Sequence, residues 1–229
     1  MANVNHAPQA LPEILPVFPL TGVLVFPGMI LPLHIFEPRY RNMVEDALNA
    51  DGVFAMIQPF VPRQDNRPLP GAATDAPELY AVGCAGYIEK WERLPDGRYV
   101  LEFRGMSRFR SERELPLLRG YRRVKASYAG FADFPIDRDW HCDRPRLIAA
   151  LEGYAKSHGL ILQLDQAGEL SDIELVSIIG MSLPFHPSEK QALVEASSAQ
   201  DRETVLINLL RLGSGAIDPD ATVPPRTVH

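Results

Sequence analysis

The sequence predicts an α+β fold, in which a β-rich segment over residues 13–130 is followed by a helical bundle over residues 131–212. Two observations support this division. Short apolar stretches separated by proline and glycine fill the first segment, which is typical of short strands joined by sharp turns. In the second segment the apolar residues recur every three or four positions instead, which indicates helices.

The β-rich segment opens with three apolar stretches that are punctuated by proline and begin at Ile14, Val23 and Met29. Because proline has no N–H, it is confined to edges, bulges and bends of a sheet. Further strands are predicted at 53–58, 79–91, 98–104, 107–114 and 121–128. Pro95-Asp96-Gly97 predicts a hairpin turn between two of them. So many short strands favour a small closed or half-closed β structure.

One helix interrupts the strands and four follow them. Pro38 suits the first turn of a helix, and the apolar residues after it share one face. Ser171 and Glu174 have the spacing of a capping box, so a helix should start there and run through Met181. The remaining helices are predicted from an apolar stripe over 147–155, from Pro187 at a first turn, and from a stripe over 205–210 that ends at Gly213.

Three segments lack periodicity. Residues 1–12 are predicted to be a flexible arm, and residues 213–229 a disordered tail. Residues 59–78 contain five prolines and are predicted to form a long surface loop.

Composition narrows the functional classes. The chain has 229 residues, of which 46% are hydrophobic, so it is long enough to bury a core without cross-links. The two cysteines, Cys84 and Cys142, lie outside any CxxC or Cys/His cluster, which disfavours a zinc site and a disulfide framework. The N-terminus has no signal-peptide pattern, and the longest apolar stretch is too short and too rich in proline to span a bilayer. We therefore expect a cytoplasmic protein without membrane contact.

Charge is distributed unevenly. Residues 1–130 carry a net charge of +1 and residues 131–229 a net charge of −7, within a total of −6. Residues 104–125 alone carry +6, so Arg108, Arg110, Arg122 and Arg123 are candidates for an anion or RNA patch. We favour a second interpretation, in which these are solvent-facing strand positions that block edge-to-edge pairing. The acidic total also disfavours nucleic acid as a partner.

Catalytic and cofactor motifs are absent from the sequence. It contains no GxxxxGK[ST] phosphate loop, no GxGxxG after a strand and no HExxH, so we predict no cofactor and no metal. Ser182 lies in Gly180-Met181-Ser182-Leu183-Pro184, where proline replaces the second glycine of a nucleophile elbow. Cys142 follows His141, but adjacent residues rarely face each other. A hydrolase that uses either nucleophile is our least favoured hypothesis, and we predict no enzyme.

Large apolar side chains near the first turns are the best candidates for binding. Phe26, Met29 and Phe36 either belong to the core or line a groove, since flexible methionine and phenylalanine surfaces suit the capture of varied peptides. We take these three residues as the candidate protein-binding contacts.

The proline-rich opening resembles a known family. Leu15-Pro16-Val17-Phe18-Pro19-Leu20, followed by the apolar stretch that ends in Met29-Ile30-Leu31-Pro32-Leu33, is similar to the start of the Lon protease N-terminal domain. Ile35-Phe36-Glu37-Pro38-Arg39-Tyr40 resembles the form found in stand-alone relatives that lack the ATPase and protease domains. The motif Gly105-Met106-Ser107-Arg108-Phe109-Arg110 continues the similarity, which covers residues 13–212.

This resemblance implies a PUA-like pseudo-β-barrel followed by a C-terminal helical bundle. It also implies substrate recognition without proteolysis. Our first hypothesis is therefore a non-catalytic domain that binds unfolded or misfolded protein segments, or that works with a protease partner, in protein degradation or quality control. The alternative is a PUA-like RNA-binding module that uses the basic 104–125 segment.

Overall fold

Seven strands and five helices make up the computed structural model, which describes residues 3–60, 77–131, 133, 140–162 and 167–215. The strands are β1 (Asn3–Val4), β2 (Ile14–Pro19), β3 (Ile30–Ile35), β4 (Val53–Ile57), β5 (Val82–Arg93), β6 (Tyr99–Leu118) and β7 (Tyr121–Ser127). The helices are α1 (Pro38–Leu48), α2 (Arg144–His158), α3 (Asp172–Ser182), α4 (Pro187–Glu195) and α5 (Ala199–Gly213), with a short 3-10 turn at Ala167–Glu169. The predicted α+β fold is confirmed.

The strands close into a barrel because β5 and β6 are long enough to pair with three other strands each. The sheet order is β1-β5-β4-β2-β7-β6-β3, and an additional pairing of β5 with β6 joins β5, β4, β2, β7 and β6 into a ring. The far halves of the two long strands extend beyond this ring. There β1 adds to β5 and β3 adds to β6, so β3 becomes an edge strand.

The structure differs from the predicted strands at two places. The predicted strands 98–104 and 107–114 are a single strand, β6, and Gly105 lies at a register shift inside it. A Cβ atom at Gly105 would lie 2.4 Å from the backbone oxygen of Phe26, so the glycine permits a close backbone approach rather than ending a strand. The stretch from Val23 to Phe26 is a loop, not a strand.

The N-terminal segment also differs from the predicted flexible arm. Asn3 and Val4 pair with Trp91 and Lys90 of β5, and the Asn5 side-chain amide donates a 3.0 Å hydrogen bond to the Ile88 carbonyl. These contacts fix the arm because β5 extends past β4 and leaves an open edge for it. Most of the predicted loop 59–78 and of the predicted tail 213–229 lies outside the described residues.

Three helices begin where their sequence signals predict. Pro38 and Pro187 occupy the first turns of α1 and α4, and Ser171 and Glu174 form the expected capping box of α3. These signals are local and do not depend on the rest of the chain, which is why they can be recognised in the sequence.

Barrel and bundle share one hydrophobic cluster. Phe26, from the loop between β2 and β3, is fully buried among bundle residues, together with Leu24 and Val82. Gly180 of α3 lies next to its ring: a Cβ atom there would be in ordinary contact with Phe26 at 3.5 Å and closer, at 3.2 Å, to Leu193. The two parts of the chain are therefore packed as one unit.

A buried guanidinium fastens this interface. Arg108 of β6 donates from Nε and Nη2 to the two carboxylate oxygens of Asp133, at 2.8 and 2.9 Å. Its Nη1 donates to the carbonyls of Val194 and Ala196 at the end of α4. The Arg108 side chain is 3% exposed and that of Asp133 is 10% exposed, so the pair is shielded from water. One side chain therefore connects the barrel, the inter-domain segment and the bundle.

Two glutamines form a second polar link between the parts. Gln58, which follows β4, donates to the Pro187 carbonyl and to Gln191 of α4, both at 3.1 Å. Gln191 in turn donates to the Val82 carbonyl at 3.0 Å. Both side chains are almost fully buried, so their hydrogen bonds fix the position of α4 on the barrel.

The start of α3 is tied to α2 through a carboxylate. Asp172 accepts hydrogen bonds from the backbone N–H of Cys142 at 2.9 Å and from the guanidinium of Arg144. Burial by itself raises the pKa of Asp172, but these hydrogen bonds outweigh it and hold the pKa below its ordinary value. The ionised carboxylate therefore stabilises the folded state.

We expect Arg108→Leu to lower the free energy of unfolding by about 3–5 kcal/mol, because the buried Asp133 carboxylate then has no counter-charge. Urea denaturation measures this change. Arg110→Leu, two residues away on β6 and exposed, is the matched control and should stay within about 0.5 kcal/mol of the wild type. The double variant Arg108→Leu/Asp133→Leu should recover much of the loss, and a single variant as stable as the control would contradict the role of this pair.

We expect Asp172→Asn to remove part of the acid sensitivity of the fold. Since the folded pKa of Asp172 is depressed, its contribution is complete above the unfolded pKa of about 3.9 and is lost as the pH falls through the folded pKa. The difference in unfolding free energy between wild type and variant should therefore be largest near pH 6 and shrink towards pH 2. A difference that stays constant over this range would show that Asp172 does not act through its charge.

Candidate functional site

The edge strand β3 exposes a row of apolar side chains. Its residues alternate between core and solvent, and Leu33 and Ile35 point into the barrel. The outward residues, with Phe36 just after the strand and Val100 of β6 opposite His34, form a surface that we call the edge patch: Ile30, Pro32, His34, Phe36 and Val100.

Phe36 is the most exposed member of the edge patch. Its exposed fraction is 62%, against 40% for Ile30 and 45% for Val100. The His34 ring lies edge-on to it, with the ring centroids 6.3 Å apart. An exposed aromatic residue beside aliphatic neighbours is the kind of surface that stabilises contact with an apolar segment.

The outer backbone edge of β3 supplies hydrogen-bonding groups. The Gly105 N–H donates to the Met29 carbonyl at 3.0 Å, so positions 29 and 105 form a hydrogen-bonded pair. Because such pairs alternate along antiparallel strands, the backbone groups of Ile30, Pro32 and His34 point away from β6. This edge therefore has three carbonyl acceptors but only two N–H donors, since Pro32 has none.

Charges around the edge patch are largely paired. Lys90 donates to Glu102 at 2.9 Å, a contact that raises the pKa of Lys90. Arg104 binds both carboxylate oxygens of Glu89, each at 2.9 Å. The apolar row is thus bordered by two neutralised pairs and by Glu92, which lies opposite Val100 and has no ion pair among the described residues.

The three predicted protein-binding residues have different positions. Phe36 is exposed in the edge patch, whereas Met29 is half-buried and packs against core residues of both the barrel and the bundle. Phe26 has no exposed area, so its prediction as a surface contact is wrong. It is buried because the loop that carries it inserts between the helices of the bundle. Ile30 and Val100 were missed, although the alternation around Pro32 already indicates an edge strand with an outward face.

The predicted basic patch does not form as a cluster. Arg108 is buried against Asp133, which contradicts its prediction as an anion or RNA contact. Arg122 is held by Glu114, and Arg123 donates to the Pro116 carbonyl at 3.0 Å, whereas Arg110 is exposed. Three other basic residues of the segment, Arg104, Arg119 and Lys125, also form ion pairs. The counter-charges come largely from outside residues 104–125, so a local charge count overestimates the field.

Neither candidate nucleophile has an activating environment. Burial, and then the nearby carboxylates of Asp172 and Glu203, raise the pKa of Cys142 to about 11. Burial raises the pKa of Cys84 to about 12. Ser182 is exposed at the end of α3 and has no hydrogen bond to a base within the described part of the chain. A reactive thiol or hydroxyl needs a lowered pKa or an adjacent base, and neither is present here.

Within the same described ranges, no group of three or more histidine, cysteine and acidic side chains is arranged to hold a metal ion. None of the helices described here combines the length and the apolar character needed to cross a bilayer.

Comparison with protein families identifies one match over most of the chain. The model of the ATP-dependent protease La (LON) substrate-binding domain matches residues 14–211. No match to an ATPase or protease domain is found.

Individual relatives are Lon proteases that match through one part of their length. The Lon protease of Dictyoglomus thermophilum is 31% identical over 102 residues, which are 44% of this chain and 12% of the relative. Lon protease 2 of Myxococcus xanthus is 25% identical over 215 residues, which cover 88% of this chain. The chain spans 24% of the length of that second relative.

A solved structure has the same fold. The crystal structure of a Lon N-terminal domain protein from Xanthomonas campestris superposes with a TM-score of 0.57 at 22% sequence identity. The superposition covers 84% of this chain and 96% of the other.

We expect both cysteines to react slowly with iodoacetamide at pH 7.5. For Cys142, a pKa about two units above that of a free thiol lowers the thiolate fraction about a hundredfold, and its greater intrinsic nucleophilicity recovers only about tenfold. Labelling of the folded protein should therefore be at least tenfold slower than that of free cysteine, with the urea-unfolded protein as control. Labelling of Cys142 faster than free cysteine would revive the hydrolase hypothesis.

Proposed function

Because the chain belongs to the LON substrate-binding domain family, we propose that it recognises exposed apolar segments of other proteins and that it does so without catalysis. The observation that carries this proposal is the edge patch, an apolar row on a strand whose outer backbone edge has no partner strand among the described residues.

The apolar side chains favour an unfolded client over a folded one. Folded proteins bury most of their large apolar residues, whereas an unfolded segment presents them together. Contact between such a segment and Phe36, Ile30 and Val100 removes apolar area from water on both sides. Because the charges of Lys90, Glu102, Arg104 and Glu89 are paired, they impose little charge requirement on the segment, which suits varied clients.

The backbone edge suggests how the segment is held. An extended segment that adds beside β3 would donate N–H groups to the carbonyls of Ile30, Pro32 and His34. Such main-chain hydrogen bonds are independent of the client's sequence. The side chains of the segment would then meet the edge patch at every second residue.

The relatives support a link to proteolysis, since they are named as Lon proteases. We therefore propose that the recognised segments belong to proteins destined for degradation or quality control, with an ATP-dependent protease as the partner. Nothing in the comparisons supports the RNA-binding alternative, and the paired arginines of residues 104–125 argue against it.

We expect Phe36→Ser to weaken binding of a permanently unfolded, carboxymethylated protein about tenfold, because Phe36 is the largest and most exposed of the patch's Phe36, Ile30 and Val100 side chains. Fluorescence anisotropy of the labelled client measures the dissociation constant. Leu117→Ser is the matched control, since Leu117 on the β6–β7 hairpin is 63% exposed but lies outside the patch.

Three outcomes would contradict the proposal: no binding of the unfolded client, equal binding of its native form, or an equal effect of the two variants. A labelled RNA at low salt is a parallel probe. Retardation of that RNA which weakens steeply with added salt would favour the alternative instead.

A further inference from the structure

A cavity of about 270 Å³ lies where the barrel meets the bundle. That volume far exceeds the roughly 10–15 Å³ that one water needs by the same kind of measure. Its walls are formed by residues of the barrel, of the inter-domain segment, of α3 and of the start of α5: Pro27, Arg108, Asp133, Trp140, Ile173, Ser197, Ser198, Ala199, Gln200 and Arg202.

One wall of the cavity carries a buried arginine that lacks a counter-charge. Arg202 is 4% exposed and its guanidinium lies 4.3 Å from the centroid of the Phe26 ring. Within the described part of the chain, the only hydrogen bond of its guanidinium is from Nε to the Leu193 carbonyl, at 3.4 Å. Its two terminal nitrogens are therefore available, and a buried guanidinium without acceptors is costly.

The other charges around Arg202 do not neutralise it. Arg108 and Asp133 satisfy each other through two hydrogen bonds. Asp201 accepts from Ser198, and Glu203 accepts from the Asp143 backbone and from Gln200. Burial, and then the positive charge of Arg108, lower the pKa of Arg202 to about 10, against the opposing effect of the Asp133 carboxylate.

The start of α5 adds to the positive potential. Ser198 caps the helix by accepting from the Asp201 N–H at 3.0 Å, and the next two residues, Ala199 and Gln200, are among those that line the cavity. N–H groups of a first helical turn have no acceptor within the helix. A cation such as Arg202 in that turn is unfavourable, whereas an anion beside it is stabilised.

Part of the wall is apolar. Pro27, Trp140 and Ile173 face the same space as the guanidinium and the helix N-terminus. A free inorganic anion would leave these walls unfilled. A carboxylate attached to a short apolar group would satisfy both kinds of surface.

We propose that this cavity is a binding site for a carboxylate carried on a small apolar body, with Arg202 and the first-turn amides of α5 as the carboxylate-binding groups. The carboxylate belongs either to a free small acid or to the C-terminal residue of a peptide. This site is separate from the edge patch, so it stands or fails independently of the proposed function.

Trp140 provides a local readout of the site. The chain has two tryptophans, and the other one, Trp91, packs in the barrel core with a buried indole N–H that has no acceptor. Trp91→Phe removes that unsatisfied donor and leaves Trp140 as the single tryptophan, which is excited selectively over the tyrosines at long wavelength. We expect N-acetyl-leucine to change Trp140 fluorescence in a saturable manner at constant ionic strength. N-acetyl-leucinamide, which has the same apolar body without the charge, should not.

Variants in this background identify the carboxylate-binding group. Arg202→Met should weaken N-acetyl-leucine at least tenfold, and Arg202→Lys should weaken it less, because it keeps the charge but loses the planar pair of donors. Arg146→Met, an exposed site on α2, is the control and should have no effect. If Arg202→Met fails to fold, the comparison of acid and amide and the Arg202→Lys variant still test the site.

The remaining outcomes either identify the source of the carboxylate or overturn the proposal. Tighter binding of acetyl-Ala-Ala-Leu than of N-acetyl-leucine would support a peptide C-terminus, and exclusion of the tripeptide would support a free acid. The proposal is wrong if the acid gives no saturable change or if acid and amide bind equally. It is also wrong if inorganic phosphate binds as tightly as the acid, or if Arg202→Met behaves like Arg146→Met.

Discussion

The buried guanidinium of Arg108 is the contact on which the joining of barrel and bundle depends. It binds Asp133 of the inter-domain segment and two carbonyls at the end of α4, so three separate parts of the chain are fixed by one side chain. Hydrophobic contact alone would allow the bundle to slide on the barrel, because apolar packing has little directional preference. The planar, bidentate geometry of the guanidinium removes that freedom.

The position of Phe26 follows from the same constraint. Once α4 is fixed, the loop after β2 can insert its aromatic ring between α3 and α5, where Arg202 lies over it. The cavity beside Arg202 exists because the ring, the first turn of α5 and the Arg108–Asp133 pair meet without filling the space between them. The edge patch is on the far half of β6 from Arg108 and does not share these contacts.

Local signals in the sequence predicted the helices and the fold class. They could not predict contacts between residues that are far apart in the chain. The Ser171–Glu174 capping box and the prolines of α1 and α4 act within a few residues, so their helices were found. From the sequence, Gly105 is interpreted as a break between two strands. Only the structure shows that the Phe26 backbone lies too close to this position for a side chain. From the sequence, Arg108 is interpreted as a surface charge. Its ion pair with Asp133, 25 positions away in the chain, appears only in the folded structure. Of the candidate site, Phe36 was identified, but its neighbour Val100 becomes relevant only through the pairing of β3 with β6.

The missing N–H at Pro32 affects whether the β3 strands of two molecules can pair with each other. Two β3 strands that met edge to edge about a two-fold axis at this position would each present a carbonyl to a proline, and both central hydrogen bonds would be lost. A segment of another protein that has no proline at this position can donate an N–H to the Pro32 carbonyl. A second copy of β3 cannot make this hydrogen bond. The proline in mid-strand thus disfavours edge-to-edge pairing of two copies of β3, while its own carbonyl stays open to another donor.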